Sequence, residues 1–230
     1  MNAAAFFDVD GTLLHGNIVS YYVHLRTHGM PAILRGLWIG GFALTVPYWM
    51  VLDRCSRSRF QRAFYRNYRR IAAADLETRA RAHWERHMAP RLYEGALERI
   101  REHRRRGDAV VLVTGSLRPI VAPLAASLGV DEVLAPQLRV ADGRFTGDLD
   151  GPPLAAEQKA AAAAACAARR GLDLGRCHAY ADSLDDLPLL RRVGHPVAVN
   201  PGEALRRIAG REGWEILDWR PRRGAAVAAP

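Results

Sequence analysis

Short, uninterrupted apolar runs that stop at polar residues mark out the skeleton of this 230-residue chain. Ala109–Val113 carries no polar side chain, the pattern of a strand buried on both faces of a parallel sheet. Phe6–Asp8, Glu132–Leu134, His178–Ala181 and Pro196–Val199 read as further short strands. Between them lie helix-forming segments: Ala96–Arg106, Pro119–Leu128, the alanine-rich Leu154–Arg170 and Leu187–Arg192. Strands alternating with helices predict an α/β fold built on a doubly wound parallel sheet. One stretch breaks the alternation. From Asn17 to Met88 the sequence reads as helical, with helices predicted over Asn17–Arg26, Ser58–Ile71 and Asp75–Met88, the last N-capped by Asp75. This block forms a helical cap inserted after the first strand. The expected organisation is a core from 1–14 and 90–219, a cap over 15–89 and a frayed tail over 220–230. A hairpin is predicted from Leu138–Val140 and Arg144–Thr146 about Ala141-Asp142-Gly143.

Hydrophobic residues at 49% and charged residues at 25% exclude a disordered, collagenous or disulfide-scaffold chain. Basic residues outnumber acidic ones by 33 to 24, a net charge of +9. Of those 33, 32 are arginine, and the single lysine is Lys159. The excess is uneven: Arg54–Arg106 holds 16 arginines against six acids, and Arg54–Arg70 holds seven arginines and no acid. The plainest reading is a solvated helix face; the sharper ones are contact with an anionic membrane surface and attraction of anionic substrates. No nucleic-acid-binding module accompanies the cluster, so no nucleic-acid partner is expected. Three widely spaced cysteines, Cys55, Cys166 and Cys177, and an apolar start too short for an export signal predict a cytoplasmic location.

Chemistry concentrates just past the predicted strand ends, where doubly wound sheets carry their sites. Asp8-Val9-Asp10-Gly11-Thr12 follows the first strand, and Thr114-Gly115-Ser116 follows Ala109–Val113. Asp182-Ser183-Leu184-Asp185-Asp186 follows His178–Ala181, and Lys159 lies near the start of the alanine-rich helix. Singly, these are an ordinary polar loop, a turn, a helix cap and a surface lysine. Together and in this order they read as one site. Converging carboxylates repel one another and need a cation, and hard oxygen ligands suit Mg²⁺, which also takes phosphate oxygens. One carboxylate can then attack phosphorus, while a second, two residues on, protonates the leaving oxygen and later activates water. The Thr114 hydroxyl and the Gly115 N–H can hold phosphoryl oxygens, with a lysine ammonium neutralising remaining charge.

The four motifs, in this order over Asp8–Asp186, resemble those of the haloacid dehalogenase superfamily. The look is closest to subfamily IB, which includes phosphoserine phosphatases and carries a helical cap between its first two motifs. Tyr180–Leu190 looks like its fourth motif, as does the following Gly194–Pro201. The resemblance implies a Mg²⁺-dependent phosphomonoester hydrolase that works through an aspartyl-phosphate. Carried over by position, it implies Asp8 as nucleophile and Asp10 as general acid/base, with the Asp10 carbonyl on the metal. It implies Thr114, Gly115 and Lys159 as phosphate-binding, Asp182 as a direct metal ligand and Asp186 as a further acid of the metal site. Asp185 stands where relatives often carry Asn. Asp10 argues against dehalogenation, since those relatives lack an acid there. Phosphoserine phosphatases of this subfamily carry Glu nine residues after the nucleophile, where this chain has Asn17. A histidinol-phosphate-like or other small organic phosphate is therefore expected ahead of phosphoserine. His15, Asn17, Tyr21 and Arg57 are the candidate substrate contacts.

Gly36–Leu52 is an uncharged run of 17 residues, in which Gly40, Gly41 and Pro47 argue against one straight helix. A single membrane crossing there would separate Asp8 from Thr114, although both must meet one phosphorus. The remaining readings are a packed cap core or oligomer contact, a double crossing, or peripheral contact of 36–70 with an anionic membrane at its inner face. Trp38, Tyr48 and Trp49 suit such an interface. Two alternatives to a soluble metabolite phosphatase follow: a membrane-associated phosphatase of a lipid-like phosphate, and a basic binding protein whose phosphatase site is vestigial. Lys159 supplies the sharpest expectation, which is that it sits beside Asp8.

Overall fold

The computed structural model describes residues 3–219, so the tail predicted over 220–230 lies outside the described residues. Strand β1 (Ala4–Phe7) leads into helices α1 (Ile18–Thr27), α2 (Ala32–Ala43), α3 (Val46–Cys55), α4 (Arg57–Phe64) and α5 (Ala73–His83). Helix α6 (Glu94–Arg105) then feeds β2 (Ala109–Val113), followed by α7 (Arg118–Leu128) and β3 (Glu132–Leu134). A hairpin, β4 (Leu138–Ala141) with β5 (Arg144–Leu149), precedes α8 (Glu157–Arg169) and β6 (His178–Ala181). The chain continues through α9 (Leu187–Leu190), β7 (His195–Val199), α10 (Glu203–Glu212) and β8 (Glu215–Leu217).

Six strands form one sheet in the order β3-β2-β1-β6-β7-β8, and every pairing in it is parallel. The apolar runs are explained by burial on both faces. Ala5, Phe7, Val110 and Leu112 enter one core layer, and Ala4, Phe6, Val111 and Val113 enter the other. Strand order reverses between β1 and β6. Loops leaving these neighbouring strands diverge to opposite faces and open a crevice at their carboxyl ends, which is where such sheets hold ligands. Asp8 and Asp182 are the first residues past β1 and β6.

The helical segment joins the sheet by two adjacent connections. Leu14 bridges Leu92, and the Tyr93 amide donates to the Leu13 carbonyl at 2.9 Å. An aromatic cluster holds the segment together, with Tyr22 against Trp38, Phe42, Phe64 and Tyr68, and Trp49 against Phe60 and Phe64. It docks over the sheet through the Tyr65 hydroxyl, which donates to the Gly115 carbonyl at 2.5 Å.

Several local expectations need correction. The helix predicted over Ser58–Ile71 ends at Phe64 and tightens into a 3₁₀ turn over Tyr65–Tyr68. Arg70 takes a positive φ of 68°, and its amide donates to the Phe145 carbonyl, so the β4–β5 hairpin draws the chain out of the helix. For the same reason α5 begins early: Ala72 is extended and bridges Arg144. Asp75 therefore lies in the first turn of α5, where its charge complements the helix dipole, instead of capping it. Helix α8 begins at Glu157 instead of Leu154, because Ala156 adopts a φ of 46° that no helix accommodates. Helix α10 and edge strand β8 have no counterpart among the sequence expectations.

The uncharged run is broken as its glycines and proline suggest. Helix α2 ends at Ala43, and α3 restarts with Pro47 in its first turn, where a missing N–H costs nothing. It is not a buried cap core. No residue of α2 or α3 is buried, and Ile33, Leu37 and Leu44 are 80%, 70% and 84% exposed. Only Trp38, Phe42, Trp49 and Leu52 lean on the core. Among the described residues no helix is long and apolar enough to cross a membrane.

Candidate active site

At the switch point Asp8 is almost fully buried, and Lys159 reaches it from the first turn of α8, with Nζ 2.7 Å from Oδ1. The same ammonium lies 2.7 Å from Asp186 Oδ1. Asp8, Asp182 and Asp186 each offer a carboxylate oxygen, and these oxygens lie within 4.8 Å of one another. Three acids thus converge, and two of them meet one ammonium. Burial pushes Asp8 up to about 8, against the pull of Lys159 and with the help of Asp186, Asp182 and Asp10. Burial disfavours the Lys159 charge, yet Asp186 and Asp8 hold its pKa above the ordinary lysine value.

The residues around this cluster explain its tight convergence. Gly11 has a φ of 88°, and a Cβ there would lie 2.1 Å from Asp182 Oδ2. The Gly11 carbonyl accepts from Asn200 Nδ2 at 2.9 Å, so β7 pins the loop from behind. Gly11→Ala is expected to strain the backbone and push Asp182 aside, weakening Mg²⁺ binding at least about tenfold. Isothermal titration with Mg²⁺ checks this, and unchanged affinity would show that Asp182 has room to move.

Asp10 lies beside the cluster and outside its carboxylate set. Its two oxygens accept separately, from the Tyr21 hydroxyl at 2.5 Å and from Ser116 Oγ at 2.6 Å. Burial, followed by Asp10, keeps the Tyr21 phenol well above its ordinary pKa and so protonated as a donor. Tyr21 is thus a partner of Asp10, a role its place among the substrate candidates did not suggest. Ser116 completes the Thr114-Gly115-Ser116 loop, and its place in that loop was its one sequence signal. Thr114 is fully buried, and its hydroxyl accepts from the Ser116 amide at 3.0 Å. It is not on the cavity wall, whereas Gly115 is.

The cavity in front of these groups has a volume of about 480 Å³. Asp8, Asp10, Lys159, Asp182 and Asp186 line it, joined from the helical segment by His15, Asn17, Asp53, Arg54, Arg57 and Gln61. Asn17 also caps α1, its Oδ1 accepting from the Ser20 amide at 2.8 Å. Arg57 donates to both Asp53 oxygens at 2.7 Å, and its Nε lies 3.7 Å from Asp185. The adjacent acids of the fourth motif therefore separate: Asp186 is buried against Lys159, and Asp185 faces Arg57. Gln61, unforeseen, is buried and donates weakly to the Leu154 carbonyl at 3.3 Å, leaving its Oε1 without a partner among the described residues.

The donor set fits a hard divalent cation. It consists of carboxylate oxygens alone, the one lysine balances only part of its charge, and the site opens on a cavity that admits water and phosphate.

Residues 5–191 match the family model for haloacid dehalogenase-like hydrolases. Over 241 residues the chain is 34% identical to phosphoserine phosphatase SerB1 of Mycobacterium tuberculosis, covering 100% of this chain and 75% of that protein. Over 125 residues it is 34% identical to histidinol-phosphatase of Neisseria meningitidis, covering 53% of this chain and 56% of that protein. A crystal structure of a protein of unknown function from Bordetella pertussis Tohama I is similar with a TM-score of 0.81 and 27% identity, covering 96% of this chain and 100% of that one. The chain belongs to the haloacid dehalogenase-like hydrolase family. Within it, the relatives place the chain among the phosphatases.

Proposed function

We propose that this phosphatase is a Mg²⁺-dependent phosphomonoester hydrolase whose phosphoryl group passes through Asp8. The convergence of Asp8, Asp182 and Asp186, with Lys159 against Asp8 and Asp186, carries the reading. Asp182, Asp186, an Asp8 oxygen and the Asp10 carbonyl would hold Mg²⁺, which when bound neutralises the carboxylates and the phosphoryl oxygens. Lys159 orients the Asp8 carboxylate and offsets phosphate charge. The other Asp8 oxygen attacks phosphorus, the P–O bond to the alcohol breaks, and Asp10 protonates the departing alkoxide. Asp10, fixed by Tyr21 and Ser116, then takes a proton from water as that water hydrolyses the aspartyl-phosphate. Gly115 supplies its backbone N–H to the phosphoryl group, and Thr114 supports that loop from below. Residues 15–89 act as the cap, closing over the cavity through Gln61, Arg57 and Asn17, with 1–14 and 90–219 as the core.

The substrate is a small organic phosphate, with His15 and Asn17 near its leaving group. The relatives named for phosphoserine and histidinol phosphate make both compounds the first to try. A direct test is phosphate release from a generic aryl phosphate with Mg²⁺ and after EDTA. Release that stops in EDTA and returns with added Mg²⁺ is expected. Release indifferent to chelation would refute the metal assignment. A second reading, peripheral contact of 36–70 with anionic membrane, is favoured by the exposed apolar side chains of α2 and α3 beside the arginine cluster. It predicts co-flotation with anionic liposomes at physiological salt.

A further inference from the structure

The catalytic cavity has an apolar neighbour. A second cavity of about 270 Å³ lies between α1, α3 and α4, and Asn17, Asp53 and Arg57 line both. Beyond those three its walls are apolar: Ile18, Val46, Trp49, Met50 and Phe60. The polar groups of the shared rim are partly engaged already. Arg57 Nη1 donates to both Asp53 oxygens at 2.7 Å, Arg57 Nε lies 3.7 Å from Asp185, and the Asn17 side-chain oxygen is engaged as a helix cap. A leaving group with its own ammonium or carboxylate would compete with that pair. An apolar chain passes it without competing for a hydrogen bond and reaches walls that gain by being covered.

We propose that the natural substrate is an amphiphilic phosphomonoester, whose phosphate occupies the Asp8–Lys159 cavity and whose unbranched apolar chain lies in the pocket walled by Val46, Trp49 and Met50. This rests on the phosphatase reading above and names the class of alcohol released. The test is a series of n-alkyl phosphates (ethyl, butyl, hexyl, octyl), assayed with Mg²⁺ below their aggregation concentrations. In the native enzyme kcat/KM is expected to rise with chain length, by up to about fourfold per methylene, the equivalent of about 0.8 kcal/mol, and then to level off once the pocket is filled. Val46→Asp and Met50→Asp, each checked for a native-like melt, are expected to flatten that rise, because the added carboxylate meets the chain. Neither parent side chain is buried, so the fold has room for the change. A native series that is flat or falls with length, while ethyl phosphate is turned over, overturns the proposal and leaves the phosphatase reading standing. An unaltered slope in both variants also overturns it. No release from any member, ethyl phosphate included, overturns the phosphatase reading and this inference with it.

Discussion

Asp8→Asn is expected to leave no measurable Mg²⁺-dependent phosphate release, a loss on the order of five to six powers of ten, as when a nucleophile is removed outright. The substitution nearly preserves volume in a site that is almost fully buried, so it separates chemistry from packing. An amide oxygen is a poor nucleophile toward phosphorus, and the amide brings no negative charge to Lys159 or to a cation. The native enzyme, acid-quenched during turnover, should carry one phosphoryl group on the peptide containing Asp8, and the variant none. Mass spectrometry of the quenched protein reads both. Full activity in Asp8→Asn would end the covalent mechanism, and a phosphoryl group on another side chain would relocate it.

Lys159→Arg is expected to fold normally and lose at least about a hundredfold in kcat/KM, the scale of removing one preorganised charge donor. Nζ lies 2.7 Å from both Asp8 and Asp186, a position that a compact ammonium on a straight stem can occupy. Helix α8 packs through Ala160, Ala163 and Ala167, which brings its backbone close to the sheet. A guanidinium is longer and planar, and would intrude among the carboxylate oxygens of Asp8 and Asp186. Lys159→Ala should show a second effect. It leaves buried acids without their counter-ion, at a cost of about 3–5 kcal/mol, so the melt in EDTA should fall well below native and Mg²⁺ should restore much of the difference. The sign follows from the raised Lys159 pKa. Its stabilisation is complete below the ordinary lysine value and is lost only as pH rises through the higher folded one, so it operates fully at neutral pH. An arginine variant with native kinetics would show that the site needs only a positive charge.

The excess of arginine over lysine gains meaning here. Thirty-two basic positions tolerate arginine, and the one that does not carry it is buried between two carboxylates. The arginines of α4 and the turn after it remain mostly a surface property, except Arg57, which the cavity recruits.

The sequence by itself marked out every strand but β8, and the acids that follow β1 and β6. Those signals are local: a run such as Ala109–Val113 is apolar because both of its faces are covered, and Asp8, Thr114 and Asp182, the residues after β1, β2 and β6, are polar where the strands end. What depended on contacts between distant segments was decided only by the tertiary structure. Asp185 and Asp186 are neighbours in sequence, yet Lys159 selects one and Arg57 the other. Tyr21 and Ser116 meet at Asp10 across 95 residues of chain, a pairing no periodicity encodes. The hairpin over Leu138–Leu149 ended one helix and started the next by hydrogen-bonding Arg70 and Ile71. An uncharged run could equally have been a core or a surface, because apolarity states a preference for burial and not its partner. Folding left α2 and α3 at the surface, with an apolar pocket between α3 and the catalytic cavity.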